Sequence, residues 1–401
     1  MSEHRLEVAD VFRTHEADFM ARWGNVLSRQ QRKAFENIRD CRTAALGGHV
    51  EQYDCGHRVI SYNSCRNRHC PKCQAAGRAE WLAQREAELL PVEEYFHVVF
   101  TLPQEIARLA LQNAREVYRI LFRAASETLL TIAADPKRLG ATVGFLAVLH
   151  TWGQNLHLHP HVHCVVPGGG ISLDGSRWIA CRNSFFLPVK VLSRFFRKKF
   201  LTDLRKAYKR GKLKFLGELK PLAKLAAFEA LRQKASQIEW VVYAKRPFGG
   251  PEQVLKYLAR YTHRVAISNR RLQSLENHRV AFEWKDYADR NQIKTMTLEA
   301  VEFIRRFLLH VLPSGFVRIR HFGFLANRVR KEKLELCRSL LSTQQPATQD
   351  SIISPHSSES KIEEPESRRC PICKVGRLIF VTIVEAEALL RAPMLILQDT
   401  S

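Results

Sequence analysis

The sequence predicts an α+β protein, an antiparallel sheet with helices packed on it, preceded by a small cysteine-rich domain. Three stretches carry that prediction. Residues 95–103, YFHVVFTLP, are β-branched and aromatic and stop at a proline, the pattern of a buried strand. Residues 143–152 and 159–166, VGFLAVLHTW and HPHVHCVV, read as two more strands joined by a short loop, hence an antiparallel pair. Residues 55–73, CGHRVISYNSCRNRHCPKC, pack four cysteines and two histidines among turn-forming residues.

The remaining elements fall around these in order. Residues ~10–48 read as helical and basic, and a charged helical stretch follows the cysteines. Residues 104–134 have the apolar spacing of a long helix. PGGGIS is a turn and RWIAC a further strand. Residues 188–235 are helical and very basic, and IEWVVYAKR (238–246) is another strand. GGPEQVLKYLARYTHR opens on a helix start signal. RVAFEWKDY and QIKTMTLE suggest a small sheet, AVEFIRRFLLHVL a helix, and FVRIRHFGFLANRVRKEK a closing basic segment. Residues ~343–369 have a linker's composition. The expected divisions are 1–92 (helical and metal-binding), 93–335 (the main domain), 336–369 (disordered linker) and 370–401 (a short tail with a Cys-x-x-Cys).

At 401 residues the chain can bury a large core. Its charge is unusual: 63 Lys and Arg against 40 Asp and Glu, a formal net charge of +23. That excess favours a polyanionic partner, nucleic acid first and an anionic membrane second. The first residues lack the apolar stretch of a signal peptide, and no run approaches the ~18 apolar residues of a membrane span, so a cytosolic protein is expected. Ten cysteines in a reducing compartment then point to metal ligation wherever they cluster.

HLHPHVHCVV places His159, His161 and His163 two apart, on one side of a strand, with Val162, Cys164 and Val166 on the other. Two imidazoles at i and i+2 can hold one divalent ion. The third ligand stays open: His159 is on the right face, His157 is in phase one step further, and Gln154 starts the loop. A metallo-β-lactamase-type cluster needs an Asp that this stretch lacks. A (β/α)8 amidohydrolase needs eight alternations of strand and helix that the chain does not make.

In KYLARYTHR, Tyr257 and Tyr261 stand one helical turn apart beside Lys256, Arg260, His263 and Arg264. A tyrosine pair at this spacing is by default core packing. Among cations, with a metal strand elsewhere, the phenolate is favoured and can attack phosphorus. The resulting phosphotyrosine bond conserves phosphodiester energy, and the chain has no G-x-x-x-x-G-K-[ST] loop.

His161-Val162-His163 with Tyr257 and Tyr261 resembles the HUH endonuclease superfamily. YNSCRNRHCPKC, FTLP, HPHVHCVVPGGG and YLARYTHRVAISNRR, in that order, resemble the IS91-family transposases over residues ~10–335. The resemblance implies an HUH-type sheet and rolling-circle transposition of single-stranded DNA. Tyr257 and Tyr261 would be the nucleophiles, and His161 and His163, with His159, would hold Mg²⁺ or Mn²⁺. The partners would be single-stranded DNA at the element's ends and target DNA, with the protein at the nucleoid. A replication initiator or relaxase of the same superfamily is one alternative; a non-catalytic zinc-dependent DNA-binding regulator is another.

The family also carries an N-terminal zinc-binding domain. Cys65-x4-Cys70-x2-Cys73 with Cys55 upstream suits a closed structural zinc site, with His57 and His69 as competing ligands. Gln52 stands where the family pattern often has a cysteine. Arg66, Arg68 and Lys72 among these ligands would contact phosphates. The basic helix near 194–214 carries Arg197, Lys198 and Lys199, with Phe195, Phe196, Phe200 and Tyr208 interleaved, and reads as an electrostatic track with base stacking. Lys256, Arg260 and Arg264 would join it. Cys370-Pro-Ile-Cys373 is half a zinc site.

Overall fold

The computed structural model describes residues 5–73, 75–182, 185–245, 252, 255–256, 266–286, 289–344, 370–374 and 377–386. Three short helices come first: α1 (Val8–Thr14), α2 (Glu16–Trp23) and α3 (Arg29–Asp40). Ser28 caps α3 reciprocally: its Oγ accepts from the Gln31 amide, and Gln31 Oε1 accepts from the Ser28 amide. Strands β1 (Gly48–Tyr53) and β2 (Arg58–Tyr62) form a hairpin, followed by α4 (Ala75–Glu86).

The central sheet begins with β3 (Tyr95–Thr101). Helix α5 (Gln104–Ala107) and the long α6 (Ala110–Ala134) follow. Next come β4 (Ala141–Thr142), β5 (Gly144–Trp152), β6 (Leu158–Pro167), β7 (Gly169–Ser172) and β8 (Trp178–Ala180). Helices α7 (Val189–Lys209) and α8 (Leu225–Gln237) lead to β9 (Val242–Lys245). Strands β10 (Leu272–Glu276), β11 (Arg279–Asp286) and β12 (Gln292–Glu299) make a separate meander, followed by the helix Ala300–Leu309. Strand β13 (Ile319–Gly323), the helix Arg330–Gln344 and β14 (Leu378–Val384) close the described chain. No helix among the described residues is long and apolar enough to cross a membrane.

Five strands pair in the order β13-β5-β6-β3-β9, every neighbour antiparallel. The expected α+β class, with an antiparallel sheet and flanking helices, is what the chain adopts. One face of this sheet, built from Val98, Phe100, Ala147, Leu149, Val162, Cys164 and Val166, is buried in the main core with α6 and α7. Phe196, Phe200 and Leu204 on α7 and Ile120, Leu121 and Ala124 on α6 fill it. Each of the larger side chains among them contributes about 1.5–3 kcal/mol through burial. Strand β5 is buried along its whole length, which explains its unbroken apolar run. The period of two sends His97, His150, His161 and His163 to the opposite face.

The N-terminal boundary expected near residue 92 does not separate two cores. Val8, Phe12, Phe19, Phe35 and Ile38 of α1–α3 pack in one cluster with Phe282 of β11 and Phe303 and Phe307 of the helix Ala300–Leu309. The sequence pattern could not show this, because the partners lie more than 240 residues apart. The tail joins the N-terminal hairpin: β14 pairs antiparallel with β1, Gly48 opposite Val384 and Tyr53 opposite Leu378. Gly47, at φ +66, lets the strands meet, since a Cβ there would stand 2.6 Å from the Val384 carbonyl oxygen.

Candidate metal centres

His161 and His163 project from β6, the middle strand of the sheet, and His150 lies directly opposite His161 on β5. One ring nitrogen from each of the three lies within 4.8 Å of the others. Ring centroids are 4.3 Å apart for His150 and His163, and 4.7 Å for His161 and His163. Trp152 stacks on His150 at 4.9 Å and fixes its plane. Burial pushes the His161 imidazole down to about 3, and drives His150 and His163 well below the ordinary histidine value. All three are therefore neutral at physiological pH, each with a lone pair to offer.

The tautomers follow from the partners. His161 Nδ1 lies 2.5 Å from the His159 carbonyl oxygen and donates to it, which leaves Nε2 as the ligating atom. His163 Nδ1 lies 2.7 Å from His97 Nε2 on β3. With His163 as donor in that bond, its Nε2 also faces the cluster, and His97 is the outer partner that orients a ligand. Burial holds His97 down at about 4, so it stays neutral and its Nε2 is able to accept that bond. Three neutral imidazoles, each able to turn a ring nitrogen inward, fit one divalent ion; a bond length of ~2.1 Å needs only small ring rotations from this spacing.

The third imidazole is thus His150 rather than His159. His159, the second residue of β6, is half-buried with its ring 5.1 Å from His161, and lies outside the three-histidine cluster. His157 sits exposed beside the Asn155 amide, and the Gln154 carbonyl accepts from Arg271. Sequence reasoning looked along one strand; the third imidazole of the cluster comes from the neighbour across the hairpin. The hairpin itself was legible; its register, which sets His150 opposite His161, was not. His97 had no local signal.

The cysteines are also regrouped. Cys41, Cys65, Cys70 and Cys73 gather with their sulfurs within 4.8 Å, at 3.2 Å for Cys41–Cys73 and 3.5 Å for Cys65–Cys73. A tetrahedral zinc with Zn–S near 2.3 Å sets sulfurs ~3.8 Å apart, so the donor set fits. Cys55 does not belong to it. It lies on the β1–β2 turn beside Cys370, 3.4 Å away, and groups with Cys370 and Cys373. Cys41 ends α3, fourteen residues before the cysteine-rich stretch, and as a lone thiol gave no signal. His69 does not compete as a ligand, because its Nε2 accepts from the Leu312 amide at 3.2 Å.

A family profile described as "Transposase zinc-binding domain" matches residues 11–102, and one described as "Putative transposase" matches residues 144–333. A "Putative transposase y4qJ" of Sinorhizobium fredii is 55% identical over 389 residues, 96% of this chain and 97% of that protein. The chain belongs to the IS91-family transposases. The "Transposase for insertion sequence element IS801" of Pseudomonas savastanoi pv. phaseolicola is 30% identical to this transposase across 72% of this chain and 68% of that protein. Among solved structures, the metal-bound complex of the conjugative relaxase TrwC with oriT DNA is similar at 14% identity. It covers 59% of this chain and 96% of that one, with a TM-score of 0.25, too low for the likeness to bear on function.

The transposase is an enzyme acting on DNA, and it has an N-terminal zinc-binding domain. Its expected DNA contacts divide sharply. Arg66 is exposed, at φ +49, next to the cysteine cluster. Arg68 instead spends both terminal nitrogens on the Phe316 and Pro313 carbonyls at 2.7 and 3.0 Å, bracing the cysteine loop on the segment before β13. Lys72 is ion-paired with Glu7. On α7, Lys198 is exposed, but Arg197 donates to the Ile238 carbonyl and Lys199 pairs with Glu127. Phe196 and Phe200 are wholly buried in the core, so they do not serve as a stacking track. The helix is amphipathic, and its aromatics belong to the apolar face. Lys256 is exposed. Tyr257, Tyr261, Arg260 and Arg264 lie outside the described residues.

Proposed function

We propose that this transposase nicks single-stranded DNA at the ends of its element through a phosphotyrosine intermediate and completes strand transfer in rolling-circle fashion. The observation that carries the reading is the trio His150, His161 and His163, neutral and buried on one face of a rigid sheet. Leu255, helical and buried, packs on that same face against Leu146, Val148 and Val165. It precedes Tyr257 by two positions in the sequence.

In the proposed step the Tyr257 or Tyr261 phenolate oxygen bonds to the scissile phosphorus. The bond to the 3′ oxygen breaks, the 5′ phosphate stays on the tyrosine, and a proton from solvent completes the 3′-OH. Attack of that or another 3′-OH on the phosphotyrosine rejoins a strand and frees the phenol, with no external energy source. A divalent ion held by the three imidazoles would polarise the phosphate and offset its developing charge. Mg²⁺ prefers oxygen donors, so Mn²⁺ is the better match for a three-imidazole set. His97 keeps His163 in the ligating tautomer. Exposed Arg66, Lys198 and Lys256 supply phosphate contacts, and Tyr243, half-exposed on edge strand β9 with its ring 6.0 Å from His97, offers a surface for a base.

The test is a covalent-adduct assay with labelled single-stranded DNA from the element's ends, in Mn²⁺ or Mg²⁺, resolved on a denaturing gel. The expected result is a metal-dependent labelled band at protein mass that disappears when Tyr257 and Tyr261 are both changed to Phe. DNA binding without any adduct from the wild type would overturn the reading in favour of a binding-only regulator.

A further inference from the structure

We infer that Cys55, Cys370 and Cys373 hold a second zinc ion, which fastens the C-terminal tail to the N-terminal zinc-binding domain. The first zinc site is complete without Cys55, since Cys41, Cys65, Cys70 and Cys73 supply four thiols. The second trio gathers on its own, three sulfurs within 4.8 Å, with Cys55 more than 310 residues from the other two along the chain.

The local backbone on both sides is built as a ligand turn. Gly56 follows Cys55 at φ +86, and Lys374 follows Cys373 at φ +64, so each cysteine is succeeded by a left-handed residue that folds the chain back. The Gly56 amide donates to the Tyr53 carbonyl at 2.7 Å and the Lys374 amide to the Cys370 carbonyl at 2.9 Å. Gln52 stands three residues before Cys55, where a Cys-x-x-Cys pair would place its first thiol. Its Oε1 accepts from Arg58 Nε at 2.8 Å. The site is therefore a three-thiolate one, its fourth position left to water or to the His57 imidazole on the same turn.

Packing gives the reason for an ion here. Strand β14 pairs along all of β1, extended by reciprocal bonds between Asp54 and Arg377. Yet no residue of β14 is buried: Ile379 and Phe380 are 58% exposed and Ile383 70%. A small sheet without a core is marginal in water. Its pairing must also close the 25 residues of chain between Gln344 and Cys370. A metal bridge supplies what the missing core does not, as in other small scaffolds.

The experiment is zinc counting by plasma mass spectrometry on the full-length protein, dialysed against metal-free buffer, with hydrogen exchange read at β1 and β14. Wild type should carry about two zinc ions per chain and the variants Cys55→Ser and Cys370→Ser/Cys373→Ser about one. In those variants amide protection should fall at least tenfold in β14 and stay unchanged in β3, β5 and β6. The mutated cysteines lie outside the main core, so the variants remain folded and the count interpretable. One zinc in wild type, or two retained in either cysteine variant, would overturn the proposal, as would β14 protection that survives the loss of these thiols.

Discussion

The histidine face and the tail cysteine cluster are both candidate metal sites on antiparallel strands, but they stand on opposite foundations. The histidines rest on a five-stranded sheet whose reverse side is filled by Phe100, Phe196, Phe200 and their neighbours, all wholly buried. The tail cysteines sit at the edge of a three-stranded sheet whose outer strand buries nothing. In the first, the fold gathers the imidazoles without an ion, and an ion there would serve chemistry. In the second, the ion would serve the fold. The donors match that division: neutral imidazoles leave a cation its Lewis acidity, whereas thiolates neutralise it and close the site.

The comparison is broken most severely at the core beneath the histidines. Phe100→Ala should cost about 3–5 kcal/mol, because a buried ring of this size leaves a cavity. Urea melts would show it, and the histidine chemistry should be lost with it. Phe380→Ala on the exposed face of β14 should change global stability by less than about 0.5 kcal/mol in the same melts.

A second prediction separates stability from metal affinity. His97→Phe removes the acceptor that orients His163 and should weaken Mn²⁺ binding by roughly 10- to 100-fold by calorimetry, with little change in zinc content. An equal loss of both metals would mean that the two regions are not independent.

Acid also acts through a buried histidine outside the three-histidine cluster. His310 bonds to Thr151 and the Leu156 carbonyl, and burial holds it down at about 4. Between the unfolded value near 6.5 and about 4, the unfolded chain takes up a proton that the folded chain refuses. The contribution of His310 should therefore fall as pH drops through that window, by up to roughly 3 kcal/mol, and stay constant below it. Melts at pH 7 and 4.5 should show this, and His310→Asn should flatten the slope.

The strands were legible because each carries its own local pattern: β3 in YFHVVFT, β5 and β6 in the hairpin around HLHPHVHCVV. His161 and His163 were legible for the same reason, two ligands on one strand. His150, His97 and Cys41 were not, since each is a single residue in an unremarkable element that becomes a site only through tertiary pairing. Arg68 shows the converse error. Its position among the cysteines suggested DNA, but its guanidinium is consumed by two carbonyls. The aromatics of α7 misled similarly: interleaving with cations is what an amphipathic helix looks like when read linearly.

The most direct test of the account sets His150→Ala beside His159→Ala in the adduct assay with Mn²⁺. The geometry predicts loss of the covalent band with His150→Ala and a band within a few-fold of wild type with His159→Ala. The reverse pattern, with His159 required and His150 dispensable, would contradict the site assigned to this sheet.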